Sequence, residues 1–432
     1  MVQSYITYSV IFLFLFLTAL LLNKRYKLLL PSTVHTFTWL ITSIFMYMEL
    51  EGKMGNNITE NEYSIIAEYI FYMMLASIAG FSFAHIYKKP RIYGNIQEQN
   101  IPIETVNAIL KKFHWLLYVC LVVGAMQIAF LVSIGGFDSL ANYRVIAVSA
   151  QRNGYGAIAQ QLSGHLSILG GFYLSLLGYK HSITGVNMKE FLKVAACIAM
   201  LNMAIGGRVW IITVTLPYVI AYFYGMYKEK TIQTKKRWKN DKRKFITIGC
   251  TFITLFSIIG LVRNAETAEG DNNTKEFFDK FLYFTDGPKM ANMVMKEYPP
   301  GTYPLEYGKS EFLQKWIPSP MTTKFAKSIE DNIALSVTVK STIPYLYYDW
   351  GYAGGFIMWG VYAFILEIIC IALIKKRTIF ALLIFVQLSQ LLFQSPIGNI
   401  FIYAVPVFQW LLIIYLFRKF IFRGIPNINN YI

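Results

Sequence analysis

Residues 350–374 read WGYAGGFIMWGVYAFILEIICIALI and run directly into Lys375, Lys376 and Arg377. A helix needs roughly 20 predominantly apolar residues to cross a hydrocarbon core of ~30 Å. This stretch has more than that and carries one charge, Glu367. Backbone polar groups have no partner in lipid, so a run this long and apolar predicts a helix, closed at one end by a basic stop. Outward from it the pattern repeats. Runs at roughly 4–22, 29–48, 64–86, 115–134, 157–178, 191–206, 208–226, 245–262, 378–396 and 399–417 are of the same kind. The short alternating segments of a membrane β-barrel are absent. The expected fold class is an all-α polytopic membrane protein with about 11 transmembrane helices.

Composition agrees. Of the 432 residues 55% are hydrophobic and 15% charged, and mean hydropathy is +0.44. A soluble globular domain carries about a quarter of its residues as charges, so a soluble enzyme and a disordered chain are both excluded. The four cysteines, Cys120, Cys197, Cys250 and Cys370, all lie inside apolar runs and offer neither a disulfide framework nor a CxxC site.

The net charge of +16 is placed as topology rather than as a nucleic-acid surface. Alternate connections hold the Lys and Arg: 24–27, 88–91 with 111–112, 180–193, 228–244, 375–377 and 418–423. This side has 26 of the 40 basic residues against six acids, a balance of +20. The other side keeps 14 basic and 18 acidic residues, or −4. By the positive-inside rule the N-terminus lies outside and the C-terminus inside. No basic region precedes the first span, so a cleaved signal peptide is not expected.

The expected organisation is transmembrane helices one to eight in 1–262, an extracytoplasmic loop in 263–349, and helices nine to eleven with a cytoplasmic tail in 350–432. The loop is far longer than an ordinary connection, which points to function. Asn273 and Glu276 mark one helix start within it. Pro288 suits the first turn of a second helix reaching about Glu297, with Pro299-Pro300-Gly301 beyond. Met290, Met293, Val294 and Met295 give that helix an apolar face, directed to the membrane surface or to a small folded cap.

Only four arginines fall on the outer side: Arg144, Arg152, Arg208 and Arg263. A guanidinium is a permanently charged fork suited to phosphate. At the hydrocarbon edge it is costly unless it snorkels or pairs, so these are candidate functional residues as well as candidate lipid anchors. Gln161 and His165 share one face of the fifth span at i, i+4. Gln387, Gln390 and Gln394 form a stripe on the tenth. Such amides face a polar cavity or bond to another helix. His165 is a candidate general base or a satisfied interhelical histidine. Tyr345–Gly355, YLYYDWGYAGG, opens span nine. There Asp349 suits a helix N-cap or a proton acceptor, and Tyr345, Tyr347, Tyr348 and Trp350 suit an interfacial belt or stacking on sugar rings. Glu367 is structural or marks a coupling-ion path. The histidines are scattered, no acidic DxD, P-loop or glycine fingerprint occurs, and no metal or cofactor is expected.

Eleven or so spans, a long extracytoplasmic loop before the last three, GGRVW at a turn (206–210) and YYDWGYAGG opening a helix resemble the Wzy-type O-antigen, or oligosaccharide repeat-unit, polymerases. The resemblance covers most of the chain in architecture and rests on short motifs. It implies a GT-C-like fold and a metal-independent glycosyltransferase of the bacterial inner membrane, facing the periplasm. The growing glycan on undecaprenyl diphosphate would pass to the next lipid-linked repeat unit. The implied partners are undecaprenyl-diphosphate-linked oligosaccharide, membrane lipids and a chain-length regulator, with no nucleic acid. In that chemistry Arg208, Arg263, Asp349 and His165 are the candidate catalytic residues. Arg144, Arg152, Gln161, Tyr348, Gln390 and Gln394 are candidates for substrate binding. The same residues suit a ligase that transfers the glycan to another lipid acceptor, or a lipid-linked oligosaccharide flippase.

Overall fold

The protein is described by a computed structural model covering residues 2–23, 30–50, 60–88, 101–135, 155–203, 209–228, 237–251, 254, 287–288, 291, 295, 341–376, 378–396, 400–425, 428 and 431. These residues are helical or lie in turns and connections, and no strand occurs among them. The helices are α1 (Val2–Asn23), α2 (Pro31–Leu50), α3 (Glu60–Lys88), α4 (Ile103–Lys112), α5 (Trp115–Gly135), α6 (Tyr155–Thr184), α7 (Met188–Met203), α8 (Val209–Lys228), α9 (237–251), α10 (Ile343–Lys375), α11 (Ile379–Phe393), α12 (Ile400–Leu416) and α13 (Arg418–Ile421). Among the described residues, three stretches are long and apolar enough to cross a membrane: Ser64–Tyr87, Ile103–Phe130 and Trp350–Ile374. Tyr8–Asn23, Val214–Met226, Ile379–Phe393 and Ala404–Leu416 are shorter apolar helices.

Two compact units form, cutting across the sequential division into 1–262, 263–349 and 350–432. One comprises 1–96, 272–375 and 388–408; the other comprises 97–271, 376–387 and 409–432. In the first, α3 and α10 lie against each other at a glycine crossing. A Cβ on Gly80 would overlap the carbonyl oxygen of Gly360, and one on Gly360 would sit 2.8 Å from the carbonyl oxygen of Ala76. Small residues are what lets helix backbones approach where apolar side chains gain nothing over lipid. Around the crossing Trp39, Tyr69, Met73, Tyr347 and Trp359 make the buried core. Ala291 and Met295, both described as helical, join it.

In the second unit the basic connections meet at one end. Tyr179 Oη accepts from Ile101 N (3.1 Å), Arg237 Nη1 donates to Ser182 O (2.6 Å), Lys112 Nζ to Arg423 O (2.8 Å) and Tyr224 Oη to Lys376 O (3.3 Å), while Ile379 N donates to Tyr431 O (2.7 Å). The basic run 228–244 is thus a docked element in its second half, where α9 begins, rather than a solvated tract.

Candidate functional site

The span expected from residue 350 is matched by the apolar stretch Trp350–Ile374, and α10 carries an additional helical segment before it that begins at Ile343. Ser341 Oγ accepts from Ile343 N (3.1 Å) and holds its first turn. Asp349, whose side chain lies outside the described ones, precedes a break at Gly351, whose φ of +72° and ψ of −174° interrupt α10. That backbone region is open almost only to glycine. Where a helix is interrupted, the first amides after the break can lack carbonyl partners one turn back. Interrupted helices at membrane depth occur where the freed groups line a cavity or are buried in protein.

Aromatic side chains surround the break. Tyr69 on α3 meets Tyr352, Phe356 and Tyr347 edge-on, with ring centroids 5.3, 6.1 and 6.4 Å away. Tyr69 Oη lies against Gly355, in the first turn after the break; only glycine leaves it room. Tyr69 and Tyr347 are 0% and 1% exposed, so Tyr347 is core rather than interfacial belt. Among the described side chains of this unit, Tyr69 Oη, Trp350 Nε1, Gln390 Oε1, Ser389 Oγ, Thr42 Oγ1 and Asn23 Oδ1 are buried and have no hydrogen-bond partner. Buried polar atoms of a folded protein are ordinarily paired, so each of these is available to something else.

Of the residues singled out in the sequence, Arg144, Arg152, Arg208 and Arg263 lie outside the described residues. Gln161 (on α6), Tyr348 and Asp349 (both on α10) have described helical backbone, and their side chains lie outside the described ones. His165 on α6 accepts at Nδ1 from Trp410 Nε1 on α12 (3.1 Å). This ties the two helices together through the His165 ring. Gln394 is 7% exposed and Gln387 5%, while Gln390 is half-buried with its carbonyl oxygen unpartnered. The stripe on α11 is thus turned inward.

Two polar networks escaped the sequence reading. In the first unit Glu367, fully buried, accepts from His85 Nε2 (2.9 Å), Ser32 Oγ (2.7 Å) and Ser32 N (3.2 Å). Asn23 Nδ2 donates to Ser32 Oγ in turn (2.7 Å). Deeper in, His35 Nε2 accepts from Trp359 Nε1 (3.1 Å), and Trp39 Nε1 donates to Ser395 Oγ (3.0 Å). In the second unit His181 contacts Glu190 Oε2 through Nε2 (3.0 Å) and Tyr218 Oη through Nδ1 (2.8 Å). Lys180 Nζ donates to Glu190 Oε1 (2.7 Å). Burial lowers the His181 pKa and outweighs the favourable carboxylate. Burial pushes the Glu190 carboxyl up, but the hydrogen bonds from Lys180 and His181 prevail and hold it below its usual range. Asp241, 2% exposed, accepts from Val186 N (3.2 and 3.3 Å) and Tyr222 Oη (2.8 Å), with Lys244 Nζ 3.5 Å away. No group of three or more His, Cys, Asp or Glu with metal-binding geometry occurs among the described residues.

Comparison with protein-family models, with curated proteins and with solved structures finds no match for this chain.

Proposed function

We propose that this protein is a glycosyltransferase that polymerises undecaprenyl-diphosphate-linked oligosaccharide repeat units at the periplasmic face of a bacterial inner membrane. The observation that carries this reading is the broken head of α10, with unpartnered buried donors and acceptors beside it. Trp350 Nε1 donates only, and the Tyr69 hydroxyl both donates and accepts. A polyhydroxylated ligand satisfies donors and acceptors together, and the break lies in the YYDWGYAGG stretch that the resemblance singles out.

In the proposed reaction an acceptor sugar hydroxyl attacks the anomeric carbon of the donor glycan. The new C–O bond forms as the bond from that carbon to the diphosphate oxygen breaks, and undecaprenyl diphosphate departs with the electron pair. The hydroxyl proton goes to a base. Because His165 Nδ1 is engaged by Trp410, Asp349, next to the break, is the base carried forward. Arg208 and Arg263 stabilise the charge that gathers on the leaving diphosphate, and Arg144, Arg152, Gln161, Tyr348, Gln390 and Gln394 hold the two substrates.

The test is purified protein in lipid with a defined undecaprenyl-diphosphate-linked repeat unit and no nucleotide sugar or metal, products resolved by size. A ladder spaced by one repeat is expected, lost in Arg208→Ala. Transfer only to an added second lipid acceptor means a ligase. Unaltered substrate that crosses the bilayer means a flippase.

A further inference from the structure

The corner between α4 and α5 and the residues that follow α12 come together in the second unit. Lys112 Nζ donates to Arg423 O (2.8 Å), and the rings of Phe113 and Phe422 meet edge to face at 6.1 Å. Arg418 donates from Nη1 to Tyr415 O (2.8 Å) and lies over the Tyr415 ring at 4.3 Å. This joins five cations on one corner: Lys111, Lys112, Arg418, Lys419 and Arg423. Segments 103–117 and 409–431 hold a single acid, Glu104, at the opposite end of α4 from the two lysines. None of the five cations makes an ion pair among the described residues. Lys111, Lys112, Lys419 and Arg423 are exposed.

The apolar surface beside them is also uncovered. Trp115, Phe417 and Phe420 are 56, 58 and 77% exposed. The buried face of α4 (Thr105, Val106, Ile109 and Leu110) is used by the protein itself, so α4 does not lie in the membrane on that face. Charges at the end of one apolar helix and the start of another fix the height of the interface, and large rings beside them sit at headgroup level. Clusters of Lys and Arg next to a membrane helix attract anionic lipid at about 1 kcal/mol each.

We propose that this corner is a binding site for the headgroups of anionic phospholipids, with Lys111, Lys112, Lys419 and Arg423 as the phosphate ligands and Trp115, Phe417 and Phe420 against the acyl chains. Arg418, held over Tyr415, orients the turn. The proposal is independent of the glycosyltransferase reading, and its readout requires no activity.

The full chain is reconstituted in phosphatidylcholine vesicles containing phosphatidylglycerol, with brominated acyl chains on one lipid or the other. The Trp115 component of the fluorescence is taken as the difference from Trp115→Phe. At equal mole fraction brominated phosphatidylglycerol should quench it more strongly than brominated phosphatidylcholine. The combined variant K111Q/K112Q/K419Q/R423Q should lose that preference, with apparent affinity falling at least about tenfold. The charge-conserving K111R/K112R/K419R variant should keep it, which separates lost charge from lost fold. Equal quenching by both lipids in the wild type, whether because the corner is solvated or because it takes an acidic protein, overturns the proposal. So does a preference that survives the fourfold neutralisation.

Discussion

Replacing Gly351 by alanine should close the break in α10. The backbone there has φ +72° and ψ −174°, a conformation that costs a residue with a Cβ on the order of 1–3 kcal/mol. A Cβ at that position meets no atom within 4 Å, so the penalty is conformational and packing around it is untouched. The inexpensive relief is for residue 351 to take helical angles, which joins the two segments and turns Asp349 and Trp350 relative to Tyr352. At 1–3 kcal/mol the broken state loses about 5- to 150-fold in population, and the ladder rate should fall by the same factor. Gly354→Ala is the control: it lies in the same helix with ordinary helical angles, and its Cβ would stand 3.2 Å from Trp350 Cβ. Hydrogen exchange supplies a readout free of any assumption about activity. The amides of 352–354, just after the break, should become more protected in Gly351→Ala. Wild-type ladder rates together with unchanged exchange would refute the argument that the break is held by glycine and used by the protein.

Gly80→Val forces a side chain onto the Gly360 carbonyl and should destabilise the α3–α10 pair by about 1–3 kcal/mol, read as the midpoint of denaturation in mixed micelles; an unshifted midpoint would mean the helices are not in close contact. Glu367→Ala removes the common acceptor of His85 and Ser32 and should cost about 3–5 kcal/mol by the same assay. Glu367→Gln, which keeps a carbonyl acceptor, should cost less, and equal losses would dismiss the network. Acidification should destabilise the second unit through His181 and Glu190, whose folded pKa values both lie below their ordinary ones. The unfolded chain therefore takes up each proton first as pH falls. The His181 contribution is complete above about 6.5 and declines below it, while that of Glu190, present above about 4.5, is lost as pH falls through its lower folded value. Thermal midpoints between pH 8 and 4 check this, and a slope unaltered below 6.5 in His181→Gln would exclude His181 as its source.

The helices were legible because apolar run length and basic punctuation fix them locally. Expected span 157–178 lies within Tyr155–Thr184, and 378–396 overlaps Ile379–Phe393. The short α4 went unread since half of its ten residues are polar, although Pro102 and the spacing of Ile103, Val106, Ile109 and Leu110 carried its signal. The span at 350–374 was read as it stands; the helical segment from Ile343 that precedes the break went unread because its polar and aromatic residues weigh against a span without preventing a helix. A glycine in WGYAGG can be read from sequence, but not its φ, because the break follows from what packs on either side. Partnerships were the least legible. Glu367 and His85 are 282 positions apart, and no local pattern states that a buried carboxylate finds that imidazole. For the candidate site the stripe on α11 was visible as spacing, and Tyr69, whose hydroxyl lies against Gly355, looked like one more aromatic in an apolar run.

How polar atoms are distributed along the first unit carries a final argument. At the end where the basic connections lie, the polar groups of α1, α2, α3 and α10 satisfy one another: Asn23 gives to Ser32, Ser32 to Glu367, and His85 to Glu367. A buried carboxyl is tolerated there because three donors meet it. Toward the other end the pairing lapses. Five of the six unpartnered atoms, on Thr42, Tyr69, Trp350, Ser389 and Gln390, lie in the halves of their helices away from the basic connections, and only Asn23 Oδ1 does not. Unsatisfied groups each cost about 1–3 kcal/mol when nothing meets them, so a gathering at one end is not what packing alone would select. The same end holds the Gly351 break. A closed end that needs no ligand and an open end short of partners give the unit a direction, and the variants that fill the open end are those for which activity, rather than folding, should suffer first.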